Sequence, residues 1–437
     1  MRPRSWLMVA LAAALLVRLG VILAIDNPKT VPRNLAESDA PTYYVLADHL
    51  LDGTGYRYAA DQAPTAKRTP GYPLFLASVF KVFGRNFTAV RVVQALLDAG
   101  TVLLVFAMGV LLFASPGAGA LAALGYALYP PAIESSSYIM TETSYTFFLA
   151  LAMVLMLFAV RLRSYASYAL AGLALGVSTL IRPGVVLLPA ALLVVGIAVA
   201  SGWSSHLGRG VGRVLGERPR VGVGPRAVRG LALLCVVFSL VMLPWAVRNQ
   251  RALDRFIPTS TLVGANLYKG NHPPTQGAYF FSTDSLLTPA IRTRVAGVSE
   301  AEKDRILGVE ARKMILANKG AVALLTLKKI PRLWLNLGYG RRPSTKSLAL
   351  AAAHLALVAL MICSLAVLPP DVRAIGFAPL TTIVFSTIMY LAVAAEVRFV
   401  FPLVPLVLPY SALGALIVFG RLKALTRRKH VARGDAS

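Results

Sequence analysis

Runs of about 20 apolar residues recur along this chain, and they constrain its fold more than any other feature. A helix of that length crosses the hydrocarbon core of a bilayer. We predict ten such spans, at about residues 5–25, 88–113, 117–133, 141–160, 166–181, 184–200, 229–247, 347–368, 374–394 and 399–419. The sequence therefore predicts an all-α polytopic membrane protein.

The composition agrees with this class and excludes others. Hydrophobic residues make up 57% of the 437 residues and charged residues only 15%, which is too apolar for a soluble or a disordered chain. Cys235 and Cys363 both lie inside apolar runs, so neither indicates a disulfide or a metal ligand. The net charge of +26 comes from residues spread along the chain, so no nucleic-acid partner is predicted.

The basic residues predict the topology. Arg2 and Arg4 precede a first run that is long for a cleaved signal peptide, so we interpret it as a retained anchor. With the N-terminus inside, 17 lysines and arginines fall in the inner segments and two in the short outer turns. Both termini, the Gly- and Arg-rich loop 201–228 and the basic tail 421–437 are therefore predicted to be cytoplasmic.

Two long loops, 26–87 and 248–346, then lie outside, and they separate the first span from six spans over 88–247 and three over 347–420. The first loop contains an amphipathic stretch, 41–51, and a short apolar run, 72–83, predicted to lie at the interface. The second contains a helical pattern over 299–318 that starts at Ser299. It also contains a basic aromatic stretch, 328–334, which could anchor to lipid headgroups or guide an anionic lipid.

Two carboxylates, Glu37 and Asp39, lie two residues apart in the first outer loop. A carboxylate in a partly dehydrated cleft can act as a general base. Alternatively, either residue could cap the helix that begins near Pro41, since an acidic residue before a proline is common at helix N-termini. The local sequence leaves both interpretations open.

The motifs around Asp39 continue along the chain in a recognisable order. They are Asp39-x-x-x-Tyr43, Leu50-Leu51-Asp52-Gly53-x-Gly55-Tyr56, Arg68-Thr69-Pro70-Gly71-Tyr72-Pro73, Met140-Thr141-Glu142, Arg182-Pro183, Trp245-Ala246-Val247-Arg248-Asn249, Asn266-Leu267-Tyr268-Lys269-Gly270-Asn271 and Arg398-Phe399. This order resembles the GT-C superfamily of glycosyltransferases, in the branch of protein O-mannosyltransferases and lipid A aminoarabinose transferases.

The resemblance implies a polyprenyl-phosphate-linked sugar as donor and an acidic residue of the first external loop as base. Asp39 would take the proton from the acceptor hydroxyl while the anomeric carbon inverts, with Glu37 as the reserve candidate. Relatives carry an acidic pair at this point, whereas Ala40 follows Asp39 here. No metal ligand is therefore assigned, and a divalent cation is possible but not implied.

A lipid phosphate as leaving group calls for cations at the outer edge of the membrane. The candidates on that side are Lys67, Arg68, Arg182, Arg248, Lys269 and Arg398. Arg182 and Arg398 could instead snorkel to the interface. Glu142 and Glu396 could hold Arg18 and Arg91 by salt bridges. For Arg18, inside the first span, internal pairing or snorkelling is favoured over donor contact.

Candidates for contact with the sugar or the acceptor come from the same motifs and from the segment 264–279. They are Tyr43, Tyr72, Glu142, Asn266, Asn271 and His272. The segment is rich in Gly, Asn and Pro, so an ordinary turn is the alternative. His272 has no partner motif, and no zinc site is predicted.

These inferences predict a membrane glycosyltransferase that moves a sugar from a polyprenyl phosphate to a lipid, glycan or protein hydroxyl on the external face of a bacterial inner membrane. A large soluble acceptor-binding domain is missing from the pattern, which favours a glycan or lipid acceptor. The alternative is a transporter or flippase of a lipid-linked sugar. Transporters typically show paired repeats with broken helices, and no internal repeat is found here.

Overall fold

The computed structural model describes residues 3–25, 39–201, 224–272, 283–335 and 344–434, and within these ranges the chain is helical with no strand. The helices are α1 (Pro3–Ile25), α2 (Ala40–Leu51), α3 (Gly71–Phe83), α4 (Phe87–Phe113), α5 (Pro116–Ala127), α6 (Pro130–Ser137), α7 (Glu142–Leu162), α8 (Tyr165–Ile181), α9 (Leu188–Ala200), α10 (Pro225–Leu253), α11 (Val263–Asn271), α12 (Pro289–Val295), α13 (Glu300–Ala317), α14 (Lys319–Leu335), α15 (Thr345–Val367), α16 (Pro370–Ile375), α17 (Phe377–Ala392) and α18 (Val404–Gly434). The predicted all-α class is confirmed. Most of the inner loop 201–228 lies outside the described residues.

Seven of these segments are long and apolar enough to cross a membrane, so the chain is an integral membrane protein. The seven candidate spans are Ser5–Ala24, Phe87–Phe113, Glu142–Leu162, Pro183–Ala200, Pro225–Leu253, Thr345–Val367 and Val397–Arg421. The other three predicted spans correspond to the shorter helices α5, α8 and α17, so the structure does not confirm the count of ten.

Local sequence explains where several helices begin and end. The predicted span 117–133 is interrupted because Pro130 and Pro131 cannot continue α5, and they open the separate helix α6. Ser299 caps α13, as predicted, because its hydroxyl accepts the backbone N–H of Glu302 at 3.3 Å. Ala114 and Arg163 end α4 and α7 in the left-handed region, at φ 50° and 52°.

Small residues let the apolar helices approach closely. A Cβ atom on Gly172 of α8 would lie 2.5 Å from the carbonyl oxygen of Leu234 in α10, so the two backbones pack in contact. Such contacts are typical of helices in lipid, where close van der Waals packing replaces the hydrophobic effect as the force between helices. We infer that a larger side chain at Gly172 would separate α8 from α10.

A buried ion pair joins three of the first helices. The Arg18 guanidinium of α1 donates to Asp98 of α4 at 2.5 Å and to the carbonyl oxygen of Ala127 at 2.9 Å, and the Tyr126 hydroxyl donates to the other Asp98 oxygen. Internal pairing is therefore the right interpretation of Arg18, since a charge in an apolar layer needs a partner. Asp98 was not singled out from the sequence, although a lone acidic residue in an apolar run is itself such a signal.

A second, smaller core lies in the long segment between α10 and α15. Its buried residues come from α11, α12, α13 and the turn before α12, and they are Ala265, Tyr268, Leu287, Val295, Ile306, Leu307 and Ala311. The close packing of α11 on α13 is set by Gly264, where a Cβ atom would lie 2.0 Å from the carbonyl oxygen of Asp304. This helical layer places the segment 259–263 beside the cavity described next.

Candidate active site

A cavity of about 250 Å³ lies where several helix ends meet. Its lining includes eight of the residues predicted from the sequence, namely Asp39, Tyr43, Lys67, Arg68, Glu142, Arg182, Asn266 and Arg398. These residues come from segments up to 359 positions apart, from Asp39 to Arg398. Glu37, the reserve candidate for the base, lies outside the described residues.

Asp39 is paired with arginines and does not cap a helix. It precedes α2, but its side chain accepts no hydrogen bond from the first turn. Instead, its Oδ1 accepts from Nη2 of Arg68 at 2.6 Å, and Nη2 of Arg398 lies 3.7 Å from its Oδ2. For Asp39, the capping alternative is therefore wrong.

The charge state of Asp39 follows from these neighbours. Burial raises the pKa of the Asp39 carboxyl, but the positive charges of Arg68 and Arg398 outweigh it and hold that pKa below its ordinary value. Asp39 is therefore ionised at neutral pH and can accept a proton. As long as both arginines hold it, however, it is a weak base.

Arg182 and Arg398 contribute to the cavity wall and do not simply snorkel to an interface. Arg182 donates to Glu142 at 3.3 Å, and its guanidinium lies 4.7 Å from the centre of the Phe399 ring. Arg398 donates to Glu396 at 2.5 Å. Glu142 and Glu396 thus form salt bridges with Arg182 and Arg398, whereas Arg18, one of the two arginines predicted to pair with them, pairs with Asp98. A guanidinium carries five N–H donors and always a positive charge, so both arginines suit an anionic ligand in the cavity.

A close backbone contact between Gly71 and Leu180 brings the segment that carries Arg68 against the end of α8, which Arg182 follows. A Cβ atom on Gly71 would lie 2.7 Å from the Leu180 carbonyl oxygen, so only glycine fits without displacement. Thr69 adds a hydrogen bond from its hydroxyl to the Ile181 carbonyl oxygen at 3.3 Å. Two guanidinium groups that the sequence separates by more than 100 residues are thereby placed on one cavity.

The prediction that Arg248 binds the donor phosphate is corrected, because Arg248 does not line the cavity. It donates to the carbonyl oxygens of Thr65 at 2.7 Å and Tyr56 at 3.1 Å, and it stacks between the rings of Tyr56 and Trp245. These contacts fix the loop that carries Lys67 and Arg68. We therefore interpret Arg248 as a support of the loop and no longer as a phosphate ligand.

Tyr72 and Asn271 also lie behind the cavity wall. Tyr72 is fully buried in α3 and donates to Oε1 of Gln94 at 2.7 Å. The side-chain amide of Asn271 donates to the Ala392 carbonyl oxygen at 2.9 Å and accepts from Lys329 at 3.2 Å. A direct sugar contact by either side chain is not supported by these positions, so both predictions are corrected.

Lys269 and His272 lie near the same end of α11, outside the lining of the cavity. Burial lowers the pKa of the Lys269 ammonium, although the charges of Asp39 and Glu396 partly oppose this effect. Lys269 therefore belongs to the electrostatic surroundings of Asp39. Burial also lowers the pKa of His272, which favours its neutral form. Its role as a sugar or acceptor ligand stays a prediction.

Only part of the basic aromatic stretch 328–334 is exposed, because two of its three basic side chains are buried in the protein. Lys329 is fully buried, and its Nζ donates to the carbonyl oxygens of Leu391 and Val393, both at 3.0 Å. Burial lowers its pKa to about 8. Arg332 is also buried, so only Lys328 of the three basic residues fits the prediction of a lipid-facing patch.

Among the described residues, no group of three or more His, Cys, Asp or Glu side chains is arranged to hold a metal ion. The cavity contains two carboxylates, Asp39 and Glu142, and each is engaged by arginine. The donor set on the cavity is therefore dominated by cations and favours an anionic ligand.

Comparison with known proteins gives one family match. Residues 67–212 match the family model described as dolichyl-phosphate-mannose-protein mannosyltransferase. The matched segment, about a third of the chain, includes Lys67, Arg68, Glu142 and Arg182 of the cavity. No curated protein matches the chain.

Three solved structures are similar over most of this chain. The Archaeoglobus fulgidus oligosaccharyltransferase, in a complex with zinc and sulfate, is 13% identical with a TM-score of 0.46 over 94% of this chain and 49% of its own. This chain thus spans about half the length of that protein. ArnT from Cupriavidus metallidurans is 14% identical with a TM-score of 0.42, both with bound undecaprenyl phosphate and in the apo state. These alignments cover 94% and 95% of this chain and 78% of ArnT.

Proposed function

We propose that this chain is a membrane glycosyltransferase of the GT-C superfamily and that it moves a sugar from a polyprenyl-phosphate donor to an acceptor hydroxyl at the external face of the membrane. The observation that carries the proposal is the cavity in which Asp39 meets Arg68 and Arg398. The description of the matching family names a dolichyl-phosphate sugar, which supports a donor of this class.

The charges on the cavity favour the departure of a lipid phosphate. Four cations, Lys67, Arg68, Arg182 and Arg398, line it together with two carboxylates. A sugar linked to a lipid phosphate carries one negative charge, and the departing lipid phosphate gains a second. A surplus of fixed cations therefore stabilises the transition state more than the bound donor, which is the requirement for catalysis.

The transfer step needs one base and one anion site. The acceptor oxygen attacks the anomeric carbon of the sugar, and its proton passes to the Asp39 carboxylate. The bond from the anomeric carbon to the phosphate oxygen breaks, and its electron pair stays on that oxygen beside the arginines. Attack opposite to the leaving group inverts the configuration of the anomeric carbon.

Binding of the donor would also prepare Asp39 for its task. Arg68 and Arg398 hold the Asp39 carboxylate, and a donor phosphate competes for the same N–H groups. When these N–H groups turn to the phosphate, Asp39 loses part of the interaction that lowers its pKa and becomes a stronger base. Proton transfer is thereby coupled to occupancy of the donor site.

An apolar wall gives the prenyl chain a place. Val186 and Leu187, before α9, and Met389 and Val393, near the end of α17, line one side of the cavity. Leu187 is 56% exposed in the protein, as expected for a side chain that contacts lipid. We place the first isoprene units here, with Tyr43 and Asn266 on the sugar or acceptor side.

The topology proposed with this function places both termini in the cytoplasm and the cavity outside, in a bacterial inner membrane. A glycan or lipid is the favoured acceptor, with protein as the alternative. The test is product formation in detergent with a panel of polyprenyl-phosphate sugars, followed by the mass of the product. A flippase only moves its substrate between two compartments and forms no new glycosidic bond. A glycosylated acceptor formed in detergent therefore excludes the flippase alternative. Binding of donors without any transfer, across the whole panel of polyprenyl-phosphate sugars, would contradict the proposed enzymatic function.

A further inference from the structure

The carboxylate of Glu300, in the first turn of α13, joins two walls of the cavity. One wall is formed by residues 67–69 and the other by the residues on either side of Thr261. Its Oε1 accepts the backbone N–H of Ala66 at 2.6 Å and the hydroxyl of Thr261 at 3.1 Å. Its Oε2 accepts the hydroxyl of Thr65 at 2.8 Å. The two walls are also joined directly, because the N–H of Thr261 donates to the Ala66 carbonyl oxygen at 3.0 Å.

Both walls lead at once into cavity residues. Lys67, Arg68 and Thr69 follow Ala66 directly and line the cavity. Only one residue therefore separates Ala66, which Glu300 binds, from Arg68, which pairs with Asp39. On the other wall, Thr259, Ser260, Leu262 and Val263 flank Thr261 and line the cavity. Glu300 itself does not line it.

The donors that Glu300 accepts from are buried and depend on it. Thr65 is 3%, Ala66 0% and Thr261 4% exposed. A buried N–H without an acceptor is costly, so the segment 65–66 would shift to find another acceptor if this carboxylate were lost. Arg248 holds the Thr65 carbonyl oxygen from the other side, so the segment is clamped between one anion and one cation.

We propose that Glu300 is a positioning residue of the donor site, which sets the place of Lys67 and Arg68 relative to Asp39 through the segment 65–66. The inference rests on the proposed function, in which these cations bind the donor phosphate. It assigns to the helical layer of α11–α13 a task in donor binding, since the carboxylate that orders the phosphate-binding wall belongs to that layer.

The matched pair of variants is Glu300→Gln and Glu302→Gln. Both remove one negative charge from the first turn of α13, but Glu302 pairs with Arg255 and Arg305 and touches neither wall. The first readout is amide hydrogen exchange of residues 66–69 in the full-length protein in detergent. The second is the dissociation constant of undecaprenyl phosphate, together with KM and kcat for the lipid-linked donor.

We expect Glu300→Gln to speed exchange of residues 66–69 by about 10-fold or more and to weaken undecaprenyl phosphate about 10-fold, since one displaced charge-assisted contact has an effect of this order. KM should rise more than kcat falls. Glu302→Gln should match the wild type in all readouts. If Glu300→Gln folds poorly, Thr261→Val removes one of the three donors and should give a smaller change of the same kind.

Unchanged exchange and unchanged affinity in Glu300→Gln would overturn the inference. A lower melting temperature with unchanged affinity would do the same, because it would leave Glu300 with a purely structural task. If the wild type itself binds no polyprenyl phosphate, the proposed function fails. In that case the exchange comparison still decides whether Glu300 orders the wall.

Discussion

Asp39 and Arg68 form an ion pair at 2.6 Å across the cavity, although 28 residues separate them in the sequence. The pair brings the proposed base into contact with a proposed phosphate ligand. The Asp39 carboxylate and a donor phosphate therefore compete for the guanidinium of Arg68.

Asp39→Asn should reduce kcat by a factor of about 10² to 10⁴, which is the typical contribution of a positioned base. The amide preserves size, and no helix cap is lost because the Asp39 side chain makes no capping hydrogen bond. The protein should therefore fold and bind donor. Turnover is measured under saturating donor, with Glu37→Gln as the matched control that removes a nearby charge.

Near wild-type turnover in Asp39→Asn together with an inactive Glu37→Gln would show that the base is Glu37. If both variants remain active, neither carboxylate is the base, and the flippase alternative gains support.

Arg398→Ala should weaken undecaprenyl phosphate by about 10-fold to 100-fold, as expected for loss of a hydrogen bond to a charged group. Arg248→Ala should act differently and lower the melting temperature, because the carbonyl oxygens of Thr65 and Tyr56 lose their donor. Isothermal titration and thermal unfolding in the same detergent separate the two effects. Arg255→Ala, an exposed arginine away from the cavity, is the control. Wild-type affinity in Arg398→Ala would remove this residue from the donor site.

The pH profile should report the arginines around Asp39. Burial raises its pKa, and Arg68 and Arg398 lower it to a net value below the ordinary one. The reaction needs the carboxylate, so activity is lost as the pH falls through that pKa. Arg398→Gln removes one of the positive charges that lower the pKa of Asp39, so this pKa should rise.

We therefore expect the acidic limb of kcat/KM to move to higher pH in Arg398→Gln, while Arg255→Gln leaves it in place. A limb that stays fixed, or moves to lower pH, would mean that Asp39 is not the group that titrates.

Single cysteines test the topology in intact cells, in a background without Cys235 and Cys363. Ala60→Cys and Ala290→Cys should react with a membrane-impermeant maleimide, because both positions lie in the loops predicted to be external. Gly210→Cys and Ala436→Cys should react only after the cells are permeabilised. The reverse pattern would place the cavity on the cytoplasmic side and contradict the proposed site of transfer.

Several features of the site were predictable because they are local. Asp39, Arg68, Arg182 and Arg398 belong to short sequence motifs, and the family model that matches residues 67–212 agrees with the resemblance that these motifs carry. Arg248 shows the limit of this reasoning. An arginine at the end of a span looks the same in sequence whether its guanidinium faces an anion or donates to two carbonyl oxygens 183 and 192 residues away.

Glu300 and Lys329 show the same limit for supporting residues. Glu300 was not singled out because it stands in an ordinary acidic first turn of a helix, and only the folded chain brings it to Ala66. Lys329 was expected at a lipid surface because of its basic and aromatic neighbours. In the folded chain it is buried and donates hydrogen bonds to the carbonyl oxygens of Leu391 and Val393.

The sequence by itself determined the membrane class, the helices and the chemical nature of the site, because apolar length, helix caps and residue types act over a few turns. The tertiary structure decided which charges meet. Close packing at Gly71 brings Arg68 and Arg182 to one cavity, and Glu300 of α13 binds residues 65–66, which lead into the wall that carries Lys67 and Arg68. The physical reason is that an ion pair or a buried hydrogen bond depends on distances of a few ångströms, and helix packing alone sets these distances between segments remote in sequence.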